Sequence, residues 1–186
     1  MTQASVSTAK WTIEDYHRMI DAGILDDRHV ELLNGEIVEM SPEGIPHASF
    51  SSDAADYLRS LLSNRAKIRE AKPITLPPTD SEPEPDIAIV RLPNSIYHAH
   101  HPYPEDIFWL IEYSDSSLRK DLEVKTQTYA VAGIREYWVI NLKSKELIVF
   151  RSPSETGYQS EQTITSGSIN PLSFQDVSVS VRQLFS

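Results

Sequence analysis

Two short, unbroken apolar runs constrain this chain more than any other feature. Ile87-Ala88-Ile89-Val90 and Ile107-Phe108-Trp109-Leu110-Ile111 contain no polar residue. Neither alternates as a half-solvated strand must, so both suit central strands covered on each face. Each run is bounded by a carboxylate: Asp86 opens the first and Glu112 closes the second. If the two strands are antiparallel neighbours, the start of one lies beside the end of the other. Both carboxylates then reach the same sheet edge. Magnesium is commonly held by one or two carboxylates, completed by waters and substrate phosphate oxygens. Asp86 and Glu112 are therefore candidate ligands for Mg2+ (or Mn2+). Taken singly, each also fits the plain reading of a residue where a buried strand meets water.

The surrounding sequence supplies both helices and strands. Residues 1–10 are small and polar, and read as a flexible N-terminal arm. Thr12 with Asp15 makes a capping box for a short helix ending at Gly23. Asn34-Gly35 lies between alternating residues and predicts a hairpin. Residues 41–46 read as a turn, and a helix is expected from His47 to about Asn64, with Phe50, Ala54, Leu58 and Leu61 on one stripe. A strand is expected over 68–76, followed by a proline-rich acidic loop over 77–85. Residues 93–104 read as a loop and flap. Ser116 or Ser117 would cap a helix to about Ala132, with Gly133 at its end. Strands near 136–141 and 146–150 precede a tail with one or two more. Helices and strands mix without strict alternation, so the expected class is α/β or α+β with a mixed sheet. Residues 11–186 read as one domain.

Further polar residues fall where chemistry could use them. In a two-residue hairpin about Asn34-Gly35, Glu31 faces Val38 and shares a face with Leu33 and Met40. A carboxylate on an apolar face needs a partner, which a metal or a lysine would supply; an edge position reaching solvent is the alternative. His47 falls on the apolar stripe of its helix, where a histidine is more often a satisfied core residue than a ligand; hydrogen bonding to a ligating carboxylate is its functional reading. Asp121, Lys125 and Tyr129 recur at four-residue spacing on one helix face. That spacing fits a routine surface pair, and equally an ammonium held over a metal site to stabilise charge on phosphorus. His98, His100 and His101 sit in a proline-rich loop without helical register and read as a solvated segment rather than a site.

Composition narrows the functional classes. The longest apolar run is the five residues from Ile107, far short of the roughly 20 needed to span a membrane. With no cysteine, disulfides and thiolate zinc sites are excluded, and any metal is held by oxygen or imidazole. The chain is expected to be soluble, cytoplasmic and not membrane-bound. Its formal charge of −10 counts against binding nucleic acid through a broad basic surface. An acidic cluster masked by cations is still compatible with a nuclease. Arg65, Lys67, Arg69 and Lys72, with Arg119 and Lys120 further on, form local basic stretches that fit ordinary solvated faces.

The order of these landmarks resembles a known family. Glu31 in Val-Glu-Leu-Leu-Asn-Gly-Glu-Ile-Val-Glu-Met leads to Ser-Pro with His47, then Pro85-Asp86, then Ile-Glu112-Tyr-Ser-Asp-Ser-Ser. Asp121, Lys125, Tyr129-Ala130, Gly133-Ile134 and Glu136-Tyr137-Trp138-Val139-Ile140 complete the run. Over residues 11–150 the chain is similar to the bacterial Uma family, restriction-endonuclease-like proteins within the PD-(D/E)XK nuclease superfamily. The resemblance implies a restriction-endonuclease-like core, a mixed sheet flanked by helices. Asp86 would be the aspartate of the Pro-Asp motif and Glu112 the acid of (D/E)XK. The superfamily lysine stands two residues after that acid, where this chain has Ser114. The resemblance implies that Lys125 replaces it from the following helix, with Glu31 a further acid of the site. The implied activity is metal-dependent endonucleolytic cleavage of nucleic acid, DNA first. A catalytically inactive module of the same fold, binding nucleic acid or protein, is the alternative. A homodimer is expected, because two-fold dimers are the commonest oligomers; Tyr137, Trp138 and Ile148 fit either its interface or the core.

Overall fold

The computed structural model describes residues 8–115 and 121–186. The proposed caps Ser116 and Ser117, the basic pair Arg119 and Lys120, and most of the N-terminal arm lie outside those residues. Helix α1 (Ile13–Asp21) begins with the expected capping box: the Thr12 hydroxyl accepts from the Asp15 N–H, and the Asp15 carboxylate accepts from the Thr12 N–H. Strands β1 (Val30–Leu33) and β2 (Glu36–Glu39) form the expected hairpin, with Leu33 opposite Glu36 and Glu31 opposite Val38. Asn34 and Gly35 both take positive φ, 51° and 72°, as this tight turn requires.

A six-stranded sheet in the order β3-β4-β5-β6-β7-β8 forms the centre. Its strands are β3 (Lys67–Glu70), β4 (Ile87–Val90), β5 (Ile107–Ser114), β6 (Glu136–Asn141), β7 (Glu146–Ser154) and β8 (Gly157–Ile164). All neighbours are antiparallel except β5 and β6, which run parallel. Helix α2 (Ile45–Leu62) covers one face, packing Ala54, Leu58 and Leu62 against Ile87, Ile89, Trp109, Ile111 and Trp138. The other face, with Ala88, Leu110, Tyr137 and Val139, is covered by α3 (Thr126–Val131) and the 71–86 segment. Burial on both faces is why β4 and β5 read as continuous apolar runs. Each fully buried leucine or isoleucine here contributes about 1.5–3 kcal/mol by removing apolar surface from water.

Several expected boundaries move for identifiable reasons. Helix α2 starts at Ile45, two residues early, because Pro46 fits the first turn of a helix and Gly44 supplies the extended cap. Its deepest stripe ends on Leu62 rather than Leu61, with Leu61 only partly buried. Strand β3 stops at Glu70, not near residue 76. Beyond it the chain folds on itself instead, with Ile74 N–H bonded to Pro83 and Leu76 N–H to Ser81. Glu82 N–H then bonds to the Leu32 carbonyl at 2.8 Å, which docks the hairpin on the 71–86 segment. Tyr137, Trp138 and Ile148 are buried in the core; they are not interface residues.

The tail closes the α2 face. Strands β9 (Ser168–Ile169) and β10 (Val179–Ser180) pair, and a 3-10 turn, Val181–Phe185, packs beside α2. The Tyr113 hydroxyl donates to the Leu184 carbonyl at 2.9 Å across the core. At the foot of β6, buried Glu136 accepts from Trp138 Nε1 (2.9 Å), Arg151 Nη2 (2.6 Å) and the Leu172 N–H (2.7 Å). A buried carboxylate is tolerated when its oxygens are occupied in this way.

Candidate metal centre

The pairing of β4 with β5 decides where the carboxylates go. Ile87 pairs with Ile111, and extending this register by one residue sets Asp86 opposite Glu112. Both follow the phase of Ala88 and Leu110, whose side chains pack on the α3 side of the sheet. They line a cleft of about 290 Å³ together with His47, Glu43, Glu84, Asp121 and Lys125. Behind this lining the hairpin places Glu31, which is fully buried; its Oε2 accepts from the Glu84 N–H at 3.3 Å. Asn34 at the hairpin tip donates to Thr128 Oγ1 at 2.9 Å, which ties Glu31's strand to α3.

Lys125 comes from a turn of π-helix, Asp121–Lys125, that runs directly into α3. Such widened turns recur at functional sites. Here Asp121, Lys125 and Tyr129 are all buried, so the reading of a routine surface pair does not hold. Lys125 Nζ donates to Glu112 Oε1 at 2.8 Å and lies 3.7 Å from Glu31 Oε2. The Tyr129 hydroxyl donates to the same Glu112 oxygen at 2.9 Å. Both bonds fall on Oε1, so Oε2 is the oxygen available to a ligand.

Ser114 has its own part in this arrangement. It lies two residues beyond Glu112 on the same strand face and donates through Oγ to Asp121 Oδ2 at 2.5 Å. The residue at the expected lysine position therefore anchors the turn that delivers a lysine from elsewhere. Ser114→Ala should lower unfolding free energy by about 1.5–3 kcal/mol, the range for a hydrogen bond to a charged group, with a smaller loss of function. Urea denaturation checks this; an unchanged midpoint would mean the bond contributes nothing.

Carboxylates crowd Lys125. Those of Glu112, Glu31, Asp121 and Asp86 all act on its ammonium. Burial disfavours the charged Lys125, but Glu112, Glu31, Asp121 and Asp86 reverse that and raise its pKa above the ordinary lysine value. Burial pushes the Glu112 carboxyl up to about 8, with Asp86 and Asp121 adding to the push and Lys125 opposing it. The ammonium 2.8 Å away favours the ionised carboxylate, while burial is the main cause of the upward push on Glu112. Grouped carboxylate oxygens are the donors a hard divalent ion takes.

Asp86 is held from two sides. Its Oδ2 accepts from the Tyr113 N–H at 2.6 Å and contacts His47 Nε2 at 2.9 Å. Burial lowers the imidazole's affinity for a proton, but bonding to Asp86, with the charges of Asp86 and Glu43, outweighs it and lifts the pKa to about 9. His47 is thus a partner of a candidate ligand, not a residue satisfied within the core. Glu43 and Glu84 were not singled out in the sequence. Both lie in irregular segments, where no periodicity assigns a side chain to a face; the one available signal was the acidic character of the 77–85 stretch. Burial also pushes the Glu84 carboxyl upward.

Arg65, Arg69 and the histidine loop lie elsewhere, while Lys72 is close enough to act on Glu84. Arg65 pairs with Asp176 and covers Phe174, while Arg69 lies over Tyr97. His100 stacks on Tyr103 with ring centroids 4.9 Å apart. Among the described residues, ligand atoms of Glu43, His47 and Asp86 gather within 4.8 Å of one another; the group shares Asp86 with the Glu112 side and includes none of the loop histidines.

The sequence profile of the Uma2 family, described as "Putative restriction endonuclease", matches residues 13–182. The chain belongs to the Uma2 family. No curated protein matches it. Among solved structures, it is similar to a "putative nuclease belonging to DUF820" from Anabaena variabilis, with a TM-score of 0.73 and 16% identity over 94% of this chain and 97% of that one. At that identity the likeness shows a shared fold. The Uma2 match spans every candidate residue from Glu31 to Tyr129. Within the described residues, no helix is long and apolar enough to cross a membrane.

Proposed function

We propose that this Uma2 protein is a metal-dependent endonuclease that hydrolyses phosphodiester bonds in DNA. The observation that carries the reading is the meeting of Asp86, Glu112 and Lys125 at one sheet edge beside an open cleft. Asp86 and Glu112, with Glu31 behind them, would hold Mg2+ or Mn2+. Such an ion, when bound, polarises a phosphoryl oxygen and lowers the pKa of a coordinated water.

The chain's own residues do the rest. Tyr113 N–H and His47 fix the Asp86 carboxylate. Tyr129 and Lys125 fix Glu112 through Oε1. Lys125 keeps its positive charge inside the acidic cluster and offers it to the phosphate as negative charge builds there. A net charge of −10 repels a bare polyanion, so substrate approach depends on cations.

Supercoiled plasmid and single-stranded DNA should be cleaved with Mg2+ or Mn2+, not in EDTA, and Asp86→Ala should reduce the rate at least about a hundredfold. Equal cleavage by Asp86→Ala would assign the activity elsewhere. The serine at 114 and the charge of −10 favour one second reading, a non-catalytic binding module of the same fold. Folded protein that cleaves nothing under any divalent ion, yet binds nucleic acid equally with and without Asp86, would establish it.

A further inference from the structure

We propose that Glu43, His47 and Asp86 form a second cation subsite at the mouth of the cleft, and that it takes Mn2+ in preference to Mg2+. The inference deepens the reading of the cleft as a metal centre and rests on Asp86 being a ligand there. It adds two residues from α2 and its approach, Glu43 and His47, which line the same cleft as Lys125.

The geometry comes first. One ligand atom from each of the three residues lies within 4.8 Å of the others. A six-coordinate ion with bonds of about 2.1 Å sets its donors roughly 3–4.2 Å apart, so only a small contraction closes the set. His47 is positioned by the first turn of α2, and Glu43 stands just before that helix, its Oε2 3.4 Å from His47 Nδ1. Nδ1 is sealed from solvent and has no hydrogen-bond partner among the described residues. Asp86 reaches the other ring nitrogen, Nε2, from the start of β4; its Oδ2 lies 2.9 Å from Nε2 and also accepts from the Tyr113 N–H. The ring of His47 stands edge-on to Tyr113, centroids 6.1 Å apart, which limits its freedom to swing away.

The chemistry sets the preference. Two carboxylates and a neutral imidazole balance a divalent charge. An imidazole nitrogen suits Mn2+ and later metals better than Mg2+, which favours all-oxygen surroundings. Glu112 has a fixed ammonium beside it, whereas Glu43 and Asp86 share only a histidine, which a metal can deprotonate and ligate. The subsite thus differs in kind from the Glu112 side, and Asp86 stands between the two.

The test is Mn2+ and Mg2+ binding to the full chain by calorimetry, with pulsed EPR of the Mn2+-loaded protein to detect nitrogen ligation. Wild type should bind Mn2+ at least tenfold more tightly than Mg2+ and show 14N coupling. His47→Gln should abolish the coupling, and Glu43→Gln should weaken Mn2+ about tenfold or more with little effect on Mg2+. Glu43 is 43% exposed, so its variant keeps the fold; circular dichroism checks His47→Gln. Unaltered Mn2+ affinity in both variants, unaltered nitrogen coupling in His47→Gln, or no Mn2+ binding by wild type would overturn the subsite and leave His47 an ion-pair partner of the two carboxylates. Failure of the nuclease reading looks different: no cleavage by a protein whose Mn2+ binding depends on His47.

Discussion

Replacing Lys125 by methionine should cost about 3–5 kcal/mol of unfolding free energy, the range for removing one partner of a buried ion pair, and should abolish cleavage. Methionine fills much the same space, so the loss is electrostatic. Without the ammonium, Glu112 loses its 2.8 Å partner and Glu31 its 3.7 Å neighbour. Buried carboxylates then face each other, and some must take up protons. Two further measurements identify the cause. Adding Glu31→Gln to Lys125→Met should recover part of the lost stability, a coupling that a packing defect would not produce. Excess Mg2+ should raise the melting temperature of Lys125→Met more than that of wild type, because the ion stands in for the missing charge. A loss below about 1 kcal/mol in urea would mean that Lys125 does not offset these acids.

The second large effect should have opposite signs in two assays. Glu112→Gln keeps an oxygen that accepts from Lys125 and Tyr129, yet removes a charge that burial, Asp86 and Asp121 all disfavour. Its stability should equal or exceed that of wild type. Cleavage should fall at least about a hundredfold, because a neutral amide is a poor ligand for a hard cation. Sites that gather charge for function commonly forgo stability in this way. A variant that cleaves at the wild-type rate would remove Glu112 from the site, and a strongly destabilised one would show its charge to be structural. The same preparation reports both outcomes.

Much of the fold was legible because it rests on local signals. Asn34-Gly35 fixed the hairpin register, and with it the inward face of Glu31. Asp86 stands just before β4, and Glu112 lies two residues inside the end of β5, which runs on to Ser114; antiparallel pairing sets the two opposite each other. Lys125 was ambiguous for a physical reason: a four-residue spacing to Asp121 is the same on a solvated helix and on a buried one. What decides is the tertiary contact of α3 with the sheet. Glu43 and Glu84 carried still less information, since irregular backbone assigns no face. The premature end of β3 reflects a similar limit. Ile74 and Leu76 are fully buried, as strand residues would be, but their backbone bonds return to their own loop.

The bond from Tyr113 to Leu184 has a consequence for synthesis. Tyr113 sits in the strand that carries Glu112, and its hydroxyl partner is 71 residues later. At about 5–20 residues per second, that separation is roughly 4–14 s of translation. For those seconds the nascent chain can pair β4 with β5 while the other side of that strand still lacks the tail that covers it. Trp109 meets Phe174 only when the tail arrives. Until then that face has α2 alone as its cover, and the chain that carries Glu112 is complete before its core is.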